Sequence, residues 1–439
     1  MRRAGKIVLL TSLYFSQGLP FGLFTQALPV LLRTRGASLP AVSLSSLLAA
    51  PWALKFLWAP LLDRPGARGA GRRRVLLGLQ VVSALVPAAL AFTPVGADLT
   101  PLFVGVVFAN LCAATQDVAT DALAIDLLGP DERGLGNGVQ VAGYRLGMIV
   151  GGGALLAAFE YLGWPLTFGV VCALLLAATL PLLLAGAPAL PAASPPALPY
   201  RAPPPGGPSP AAPEGAAEGF AAGEPGLAGF FRRPGVWAWL AFVASFKAFE
   251  ALGAAMLRPF LVDRGFGLAD IGWALGTVGA STSLGGALAG GLLVNRLGRR
   301  GALVAFGLAQ SACLGAFALA ALRGASGPTL VALCGLEHAA GGMATAALFT
   351  VMMDACRPES AATDYTVQAC ANVAANGAAA ALSGFVAERA GYAAHFALAA
   401  AFGALAALFA GLLRPHRSWA RWPGSGARRE APAGRGGEA

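Results

Sequence analysis

The chain has 439 residues, of which 56% are hydrophobic and only 12% are charged. Soluble globular domains carry roughly 25% charged residues, so this composition excludes a soluble globular protein and indicates a helical protein that crosses a membrane several times. The net charge of +10 does not indicate a nucleic-acid-binding protein, because the basic residues lie in short clusters between apolar segments.

Twelve apolar segments follow one another along the chain. A helix that spans a bilayer needs about 20 mostly apolar residues. The segments that meet this criterion lie near residues 7–32, 40–61, 75–93, 100–125, 135–159, 164–186, 235–261, 268–294, 301–322, 328–353, 362–387 and 391–413. The sequence therefore predicts an all-α polytopic membrane protein with 12 transmembrane helices in two six-helix halves.

The segment between the sixth and seventh predicted helices has a different composition. Residues 187–232 are rich in proline, glycine and alanine, and a segment of this kind cannot bury a core. We predict four parts: an N-terminal half over 1–186, a cytoplasmic linker over 187–232, a C-terminal half over 233–413, and a basic, disordered cytoplasmic tail over 414–439.

The distribution of basic residues predicts the orientation in the membrane. The side that holds the N-terminus carries the arginines of residues 64–74, Arg133, Arg296 and the basic tail. The opposite side has only Arg33, Arg35, Arg264, Arg323 and Arg389. Loops rich in lysine and arginine stay in the cytoplasm, so both termini are predicted to be cytoplasmic.

Two stretches of the first half recur in the second. The segment "IDLLGPDERGLGNGVQ" resembles "MDACRPESAATDYTVQ", and the matched residues differ by 228 in each case: Asp126 and Asp354, Pro130 and Pro358, Gln140 and Gln368. Two related six-helix halves are typical of secondary transporters, in which the solute site lies between the halves near the middle of the membrane.

The other repeated stretch is "LLDRPGARGAGRRR" after the second predicted helix and "GLLVNRLGRRG" after the eighth. It resembles a loop signature of the major facilitator superfamily, Gly-x-x-x-Asp-Arg-x-Gly-Arg-Arg. The resemblance implies a gating loop that closes the cytoplasmic side, partly through an acidic residue that faces a helix N-terminus. The alternative is that these arginines only set the topology. The predicted gating residues are Asp63, Arg64, Arg72, Arg73, Asn295, Arg296, Arg299 and Arg300.

Several longer stretches resemble one group within that superfamily, the AmpG-type muropeptide permeases and their relatives, the acetyl-coenzyme A transporters. These stretches are "YFSQGLPFGL", "LKFLWAPLLDR", "ATQDVATDA", "DERGLGNGVQVAGYRLGM", "FKAFE" and "EHAAGGMATAA". The resemblance implies a carrier that imports disaccharide-peptide fragments of the cell wall across the inner membrane, coupled to protons.

Charged residues inside the predicted helices mark a candidate pathway, because an isolated charge in hydrocarbon is costly. Arginine can hold a carboxylate or phosphate in a bidentate manner, so Arg145 and Lys55 are predicted to bind an anionic solute. Neutral and basic neighbours extend this site: Tyr144, Gln116, Lys247, Gln17 and Asn372. Four carboxylates are candidates for proton coupling: Asp117, Asp121, Glu250 and Glu337. The alternative for each charge is a structural ion pair.

No pattern in the sequence indicates an enzyme. The six cysteines and three histidines are scattered without metal-ligand spacing, and no nucleophile and base are arranged for catalysis. No cofactor, metal or nucleic-acid partner is predicted. His338, next to Glu337, is either a proton relay or a packing residue.

The sequence thus predicts a proton-coupled symporter that imports an anionic solute, a muropeptide fragment, across the inner membrane by alternating access. It is expected to act as a monomer in the lipid bilayer. Two alternatives stay open: a carrier of acyl-coenzyme A or another anionic metabolite, and a membrane sensor of the same fold that transports nothing.

Overall fold

The computed structural model describes residues 2–23, 50–92, 100–185 and 226–412, and all regular secondary structure in these ranges is helical. Eleven of the twelve predicted spans fall mainly on described helical residues. We number the spanning helices α1 to α12 in chain order. The all-helical architecture predicted from the sequence is confirmed.

The first half contains α1 to α6. The described part of the second predicted span begins at Ala50, and three short 3₁₀ segments follow its helix, so the regular helix ends before residue 61, where the sequence pattern had placed its end. Pro60 lies at the start of the second 3₁₀ segment, where its ring opposes a continuing α-helix. The described bounds are Arg3–Gly22 for α1, Ala50–Leu54 for α2, Ala70–Ala91 for α3, Thr100–Leu127 for α4, Arg133–Met148 for α5, which continues through a π-helical segment Ile149–Ala154 and a helical segment 155–162, and 164–184 for α6.

The second half contains α7 to α12. A short helix, Leu227–Phe231, precedes α7, and another, Leu257–Asp263, follows it. A helical turn Leu268–Ile271 and a π-helical segment Gly272–Gly279 lead into α8. The bounds are Val236–Ala255 for α7, 280–297 for α8, 299–323 for α9, Gly327–Asp354 for α10, 361–390 for α11 and 392–412 for α12.

Glycines divide the longest helical segments into separate spans. Segments of 52 and 55 residues are apolar enough to lie in a membrane, but at 1.5 Å per residue each would be more than twice as long as the bilayer core. Gly298 (φ 72°) and Gly391 (φ 77°) interrupt them with a backbone conformation that side chains disfavour. By length and composition, seven of the described helical segments can span a membrane, these two included.

The halves are joined at one end of the bundle and have separate cores at the other. One buried core contains residues from both halves, for example Val139 of α5 and Leu348 of α10. Two further cores each belong to one half: Phe168 lies in the first, and Phe317 and Phe396 lie in the second. We call the joined end, which carries the loops after α2, α4, α8 and α10, the latched end, and the opposite end the far end.

The predicted linker and tail fall largely outside the described residues. The structure begins again at residue 226, and Phe230 of the short helix that follows is fully buried, so the last residues of the predicted linker pack on the bundle. The predicted tail, 414–439, is outside the described residues. The boundaries of the four parts stay a prediction.

Candidate functional site

A buried ion pair joins the 3₁₀ segment that follows α2 to α4. The Lys55 ammonium contacts the Asp117 carboxylate, and the two residues are 4% and 7% exposed. The Lys55 nitrogen also lies 5.5 Å from the centroid of the Trp52 ring, within the range of a cation–π contact. A buried carboxylate needs a compensating charge, so Lys55 accounts for the presence of Asp117 in the membrane.

Asp121 lies one turn further along α4 and joins three helices. It accepts hydrogen bonds from the Tyr14 hydroxyl of α1 at 2.9 Å and from the Gln140 amide of α5 at 3.0 Å. Asp121 is 2% exposed. The sequence identified Asp121 as an unusual charge but did not identify Tyr14 as its partner.

Among the described residues predicted to bind solute or protons, Arg145 is the charged one without a hydrogen-bond or ion-pair partner. It is half-buried on α5, and no described residue forms a hydrogen bond or ion pair with its guanidinium. The centroid of the neighbouring Tyr144 ring lies 5.7 Å from that of Phe21 and 6.1 Å from that of Trp52. Trp52 contacts both Tyr144 and Lys55, so the aromatic rings connect the segment that carries Arg145 to the Lys55–Asp117 pair.

The predicted glutamines are used within the first half. Gln17 donates to Thr120 at 2.9 Å, and Gln116 donates to the Ser16 hydroxyl at 2.8 Å. Gln80 of α3, which the sequence analysis did not single out, donates to the same hydroxyl at 3.1 Å. These bonds join α1, α3 and α4, so in this conformation both predicted glutamine donors stabilise helix packing.

Two asparagines on α11 have unused acceptors, as do the side-chain oxygens of Gln17 and Gln80. The Oδ1 atoms of Asn372 and Asn376 are buried and accept no hydrogen bond from a described residue. A buried acceptor without a donor is costly. Asn372, a predicted solute-binding residue, therefore retains an acceptor for a further donor.

A second charged cluster lies inside the second half, where α7, α9 and α10 meet. Lys247 contacts Glu250 and lies 3.3 Å from the Gln310 amide oxygen. Glu337 accepts a weak hydrogen bond from Gln310 at 3.4 Å and lies 2.8 Å from the His338 imidazole. Three of the predicted residues are thus brought together, separately from the Lys55–Asp117 pair.

Asp63 closes the latched end. Its carboxylate accepts hydrogen bonds from the backbone N–H groups of Ala362 and Thr363, at 3.0 and 2.8 Å, and from the Thr363 hydroxyl at 2.6 Å. These donors are the first residues of α11, in the other half, where the helix dipole favours a negative charge. Burial raises the pKa of the Asp63 carboxyl, whereas the hydrogen bonds lower it.

In each half, a loop arginine pairs with the aspartate of the internal repeat. Arg72 pairs with Asp126, and Arg299 pairs with Asp354 at 2.8 Å. Arg133, which the sequence analysis used only for orientation, also pairs with Asp354, at 2.8 Å, and so crosses between the halves. The constant offset between Asp126 and Asp354 was the signal that could have found these pairs.

The remaining predicted gating residues differ in their contacts. Asn295 donates to the Asp131 carbonyl oxygen of the other half. Arg73 donates to the Leu182 and Leu183 carbonyl oxygens at the end of α6, so it acts within its own half. Exposed side chains at the latched end complete the set: Arg64 and Arg296. Arg300 is half-buried beside them.

No group of three or more potential metal ligands lies together in the described residues. The site therefore consists of ionisable and amide side chains in spanning helices, together with a set of ion pairs that closes one end. Such an arrangement suits the binding of a charged solute rather than covalent chemistry.

Comparisons with known proteins agree with this geometry. The sequence profile of the Major Facilitator Superfamily matches residues 10–375. The chain belongs to the major facilitator superfamily. It is a multi-pass membrane transporter and not an enzyme.

One curated relative places the chain within the superfamily. It is 30% identical over 362 residues to the anhydromuropeptide permease of Escherichia coli K12, an alignment that covers 82% of this chain and 70% of the relative. The predicted resemblance to the AmpG-type muropeptide permeases is thus confirmed.

Solved structures share the fold. The human organic anion transporter MFSD10 superposes with a TM-score of 0.68 at 17% identity, over 93% of this chain and 100% of that structure. The proton:xylose symporter XylE superposes with a TM-score of 0.64 at 12% identity, over 93% and 96%. At these identities the likeness shows the major facilitator fold alone.

Proposed function

We propose that this transporter imports an anionic muropeptide fragment of the cell wall across the inner membrane, together with protons. The observation that carries the proposal is Arg145, a half-buried cation in a spanning helix with no partner among the described residues. The 30% identity to a permease for anhydromuropeptides supports the solute class. A muropeptide presents carboxylates, which a guanidinium binds in a bidentate manner.

The contacts around Arg145 suit a large and partly polar solute. Lys55 provides a second positive charge one aromatic ring away, and it is held by Asp117 until a solute carboxylate competes for it. The Tyr144 and Trp52 rings offer apolar faces next to these charges. The unused Asn372 oxygen on α11 supplies an acceptor in the other half.

Transport follows by alternating access, with the two halves moving about this central region. We assign the latched end to the cytoplasm, because it carries the arginine clusters, and both termini with it. The observed conformation then has its cytoplasmic side closed by Asp63 and by the Arg133–Asp354 and Arg299–Asp354 pairs. Opening that side requires these contacts to break. The protein acts as a monomer in this account.

The proton accompanies the solute through one of the two charged clusters. Asp117 and Asp121 lie in the first half, and Glu250 and Glu337 lie in the second. A carboxylate that is poorly solvated or close to another charge can bind and release a proton as its surroundings change. A conformational cycle that exposes either cluster in turn to the two sides would couple proton and solute movement.

Uptake of labelled anhydromuropeptide into proteoliposomes tests the proposal. Arg145→Ala should abolish uptake while the protein still inserts, and Arg145→Lys should restore it only in part, because lysine lacks the bidentate geometry. The matched control is Arg389→Ala, which makes the same change at an exposed arginine near the end of α11. Full uptake by Arg145→Ala would refute the proposed role. Strong competition by acyl-coenzyme A, but not by muropeptide, would identify the solute as an acyl-coenzyme A instead.

A further inference from the structure

The charged cluster of α7, α9 and α10 holds an excess negative charge. It contains one cation, Lys247, and two carboxylates, Glu250 and Glu337. Arg258, the other basic residue of this region, is exposed on the short helix Leu257–Asp263 and does not balance them. With a neutral His338 the cluster therefore carries one net negative charge, and a buried charge without compensation is unfavourable.

The corresponding helices of the first half, α1, α3 and α4, are joined mainly by neutral side chains. The bonded residues there are Ser16, Gln17, Gln80, Gln116 and Thr120. The carboxylate that joins α1 to α4 is Asp121, which accepts from Tyr14. The charges of the first half, Lys55 and Arg145 against Asp117 and Asp121, are equal in number, so the imbalance is confined to the second half.

The geometry around His338 defines where one more proton fits. The Nδ1 atom lies 2.8 Å from a Glu337 carboxylate oxygen and 3.0 Å from the Cys334 carbonyl oxygen. Both neighbours are acceptors, so Nδ1 carries a hydrogen and donates. The other Glu337 oxygen accepts from Gln310, which leaves Glu337 as an ionised acceptor. The remaining basic atom is Nε2, to which no described residue donates or accepts a hydrogen bond.

The start of α8 approaches that atom closely. Gly279, at the junction between the π-helical segment and α8, faces the His338 ring, and a Cβ placed there would lie 2.9 Å from Nε2. The His338 side chain is 21% exposed, whereas Glu337 beneath it is 2% exposed. His338 is therefore the more exposed member of the pair, and it lies beside a helix segment of the kind often found at functional sites.

We propose that His338 Nε2 is the site at which the transported proton binds, and that Glu337 stabilises the resulting imidazolium. The inference rests on the proposed proton-coupled function and assigns its proton to the second half rather than to Asp117 or Asp121. Binding converts neutral imidazole to imidazolium and brings the cluster to zero net charge; release returns the cluster to one net negative charge. The titratable groups that face the pair are Lys247 and Glu250 from α7, Cys313 from α9 and Cys334 from α10, and α8 presents Gly279.

The direct test separates solute exchange from proton-driven accumulation in proteoliposomes. His338→Asn keeps an amide that can donate towards Glu337 but cannot take up a proton. We expect exchange to be retained while accumulation driven by a pH step of one unit, about tenfold for one proton per solute, is lost. The matched control is His395→Asn, the same change at a buried histidine of α12, and it should leave the ratio of accumulation to exchange unchanged. Tenfold accumulation by His338→Asn would overturn the inference.

Two further measurements keep the inference testable if that variant does not insert. Glu337→Gln leaves an acceptor for Nδ1–H but removes the charge that stabilises imidazolium, so the midpoint of pH-dependent uptake should fall by about one unit or more; an unmoved midpoint would contradict the assignment. The ¹⁵N chemical shift of His338 in nanodiscs needs no solute, and it should report protonation within roughly pH 5 to 8. A ring that stays neutral throughout would overturn the inference, whereas absent uptake by the wild type alone would refute the proposed function.

Discussion

Replacing Asp63 by alanine should open the latched end. The Asp63 carboxylate accepts three hydrogen bonds from the start of α11, at 2.6 to 3.0 Å, and it is 6% exposed. On opening, water replaces these bonds, so each contributes about 1 kcal/mol net rather than its full strength. The three together amount to about 3 kcal/mol, which corresponds to a shift of roughly 150-fold in the equilibrium between the closed and open states.

Distances between spin labels across the latched end measure this shift. Labels at residues 74 and 296, both exposed at that end, report the separation of the halves in a background without the six native cysteines. The wild type should show mainly the short distance, and Asp63→Ala should show mainly a longer one. Arg64→Ala is the matched control, because this neighbouring side chain is exposed, and it should leave the distribution unchanged. An Asp63→Ala distribution identical to that of the wild type would refute the reasoning.

Two further predictions concern the first half. Gly18 lies against the Tyr144 backbone, so Gly18→Ala should separate α1 from α5 and destabilise the protein by about 2 kcal/mol in thermal unfolding in detergent. The control is Gly169→Ala, where a Cβ meets no atom within 4 Å, and it should leave the stability unchanged. Lys55→Gln should lower the free energy of unfolding by about 3 kcal/mol or more, because it leaves Asp117 buried and unpaired. Adding Asp117→Asn should recover most of this loss. A double variant less stable than Lys55→Gln would contradict the pairing.

The sequence predicted the fold well because hydrophobic length and loop charge are properties that can be counted along a chain. Eleven of the predicted spans coincide with described helices, and the repeat around Asp126 and Asp354 reappears as two equivalent ion pairs with loop arginines. The position where α2 ends was wrong, because the prediction followed the apolar pattern through Pro60, whereas the helix stops at Leu54.

The sequence identified charged residues of the site, but it did not show which of them contact one another. The sequence marked Asp117, Asp121 and Lys55 as costly charges but left open which of them pair, because contacts between helices depend on their relative rotation. Gln17 and Gln116 were predicted to face a solute, and their donors bind other helices of the same half instead. These roles, and the proposed role of Arg145, stay predictions until transport is measured.

The most direct test of the account is the uptake of labelled anhydromuropeptide by the purified wild-type protein in proteoliposomes, with and without an imposed pH gradient. We predict that the labelled solute equilibrates slowly without a gradient and accumulates inside when the gradient drives protons inward. Uptake that is absent in both conditions would contradict the solute assignment, and uptake that is indifferent to the gradient would contradict the proton coupling.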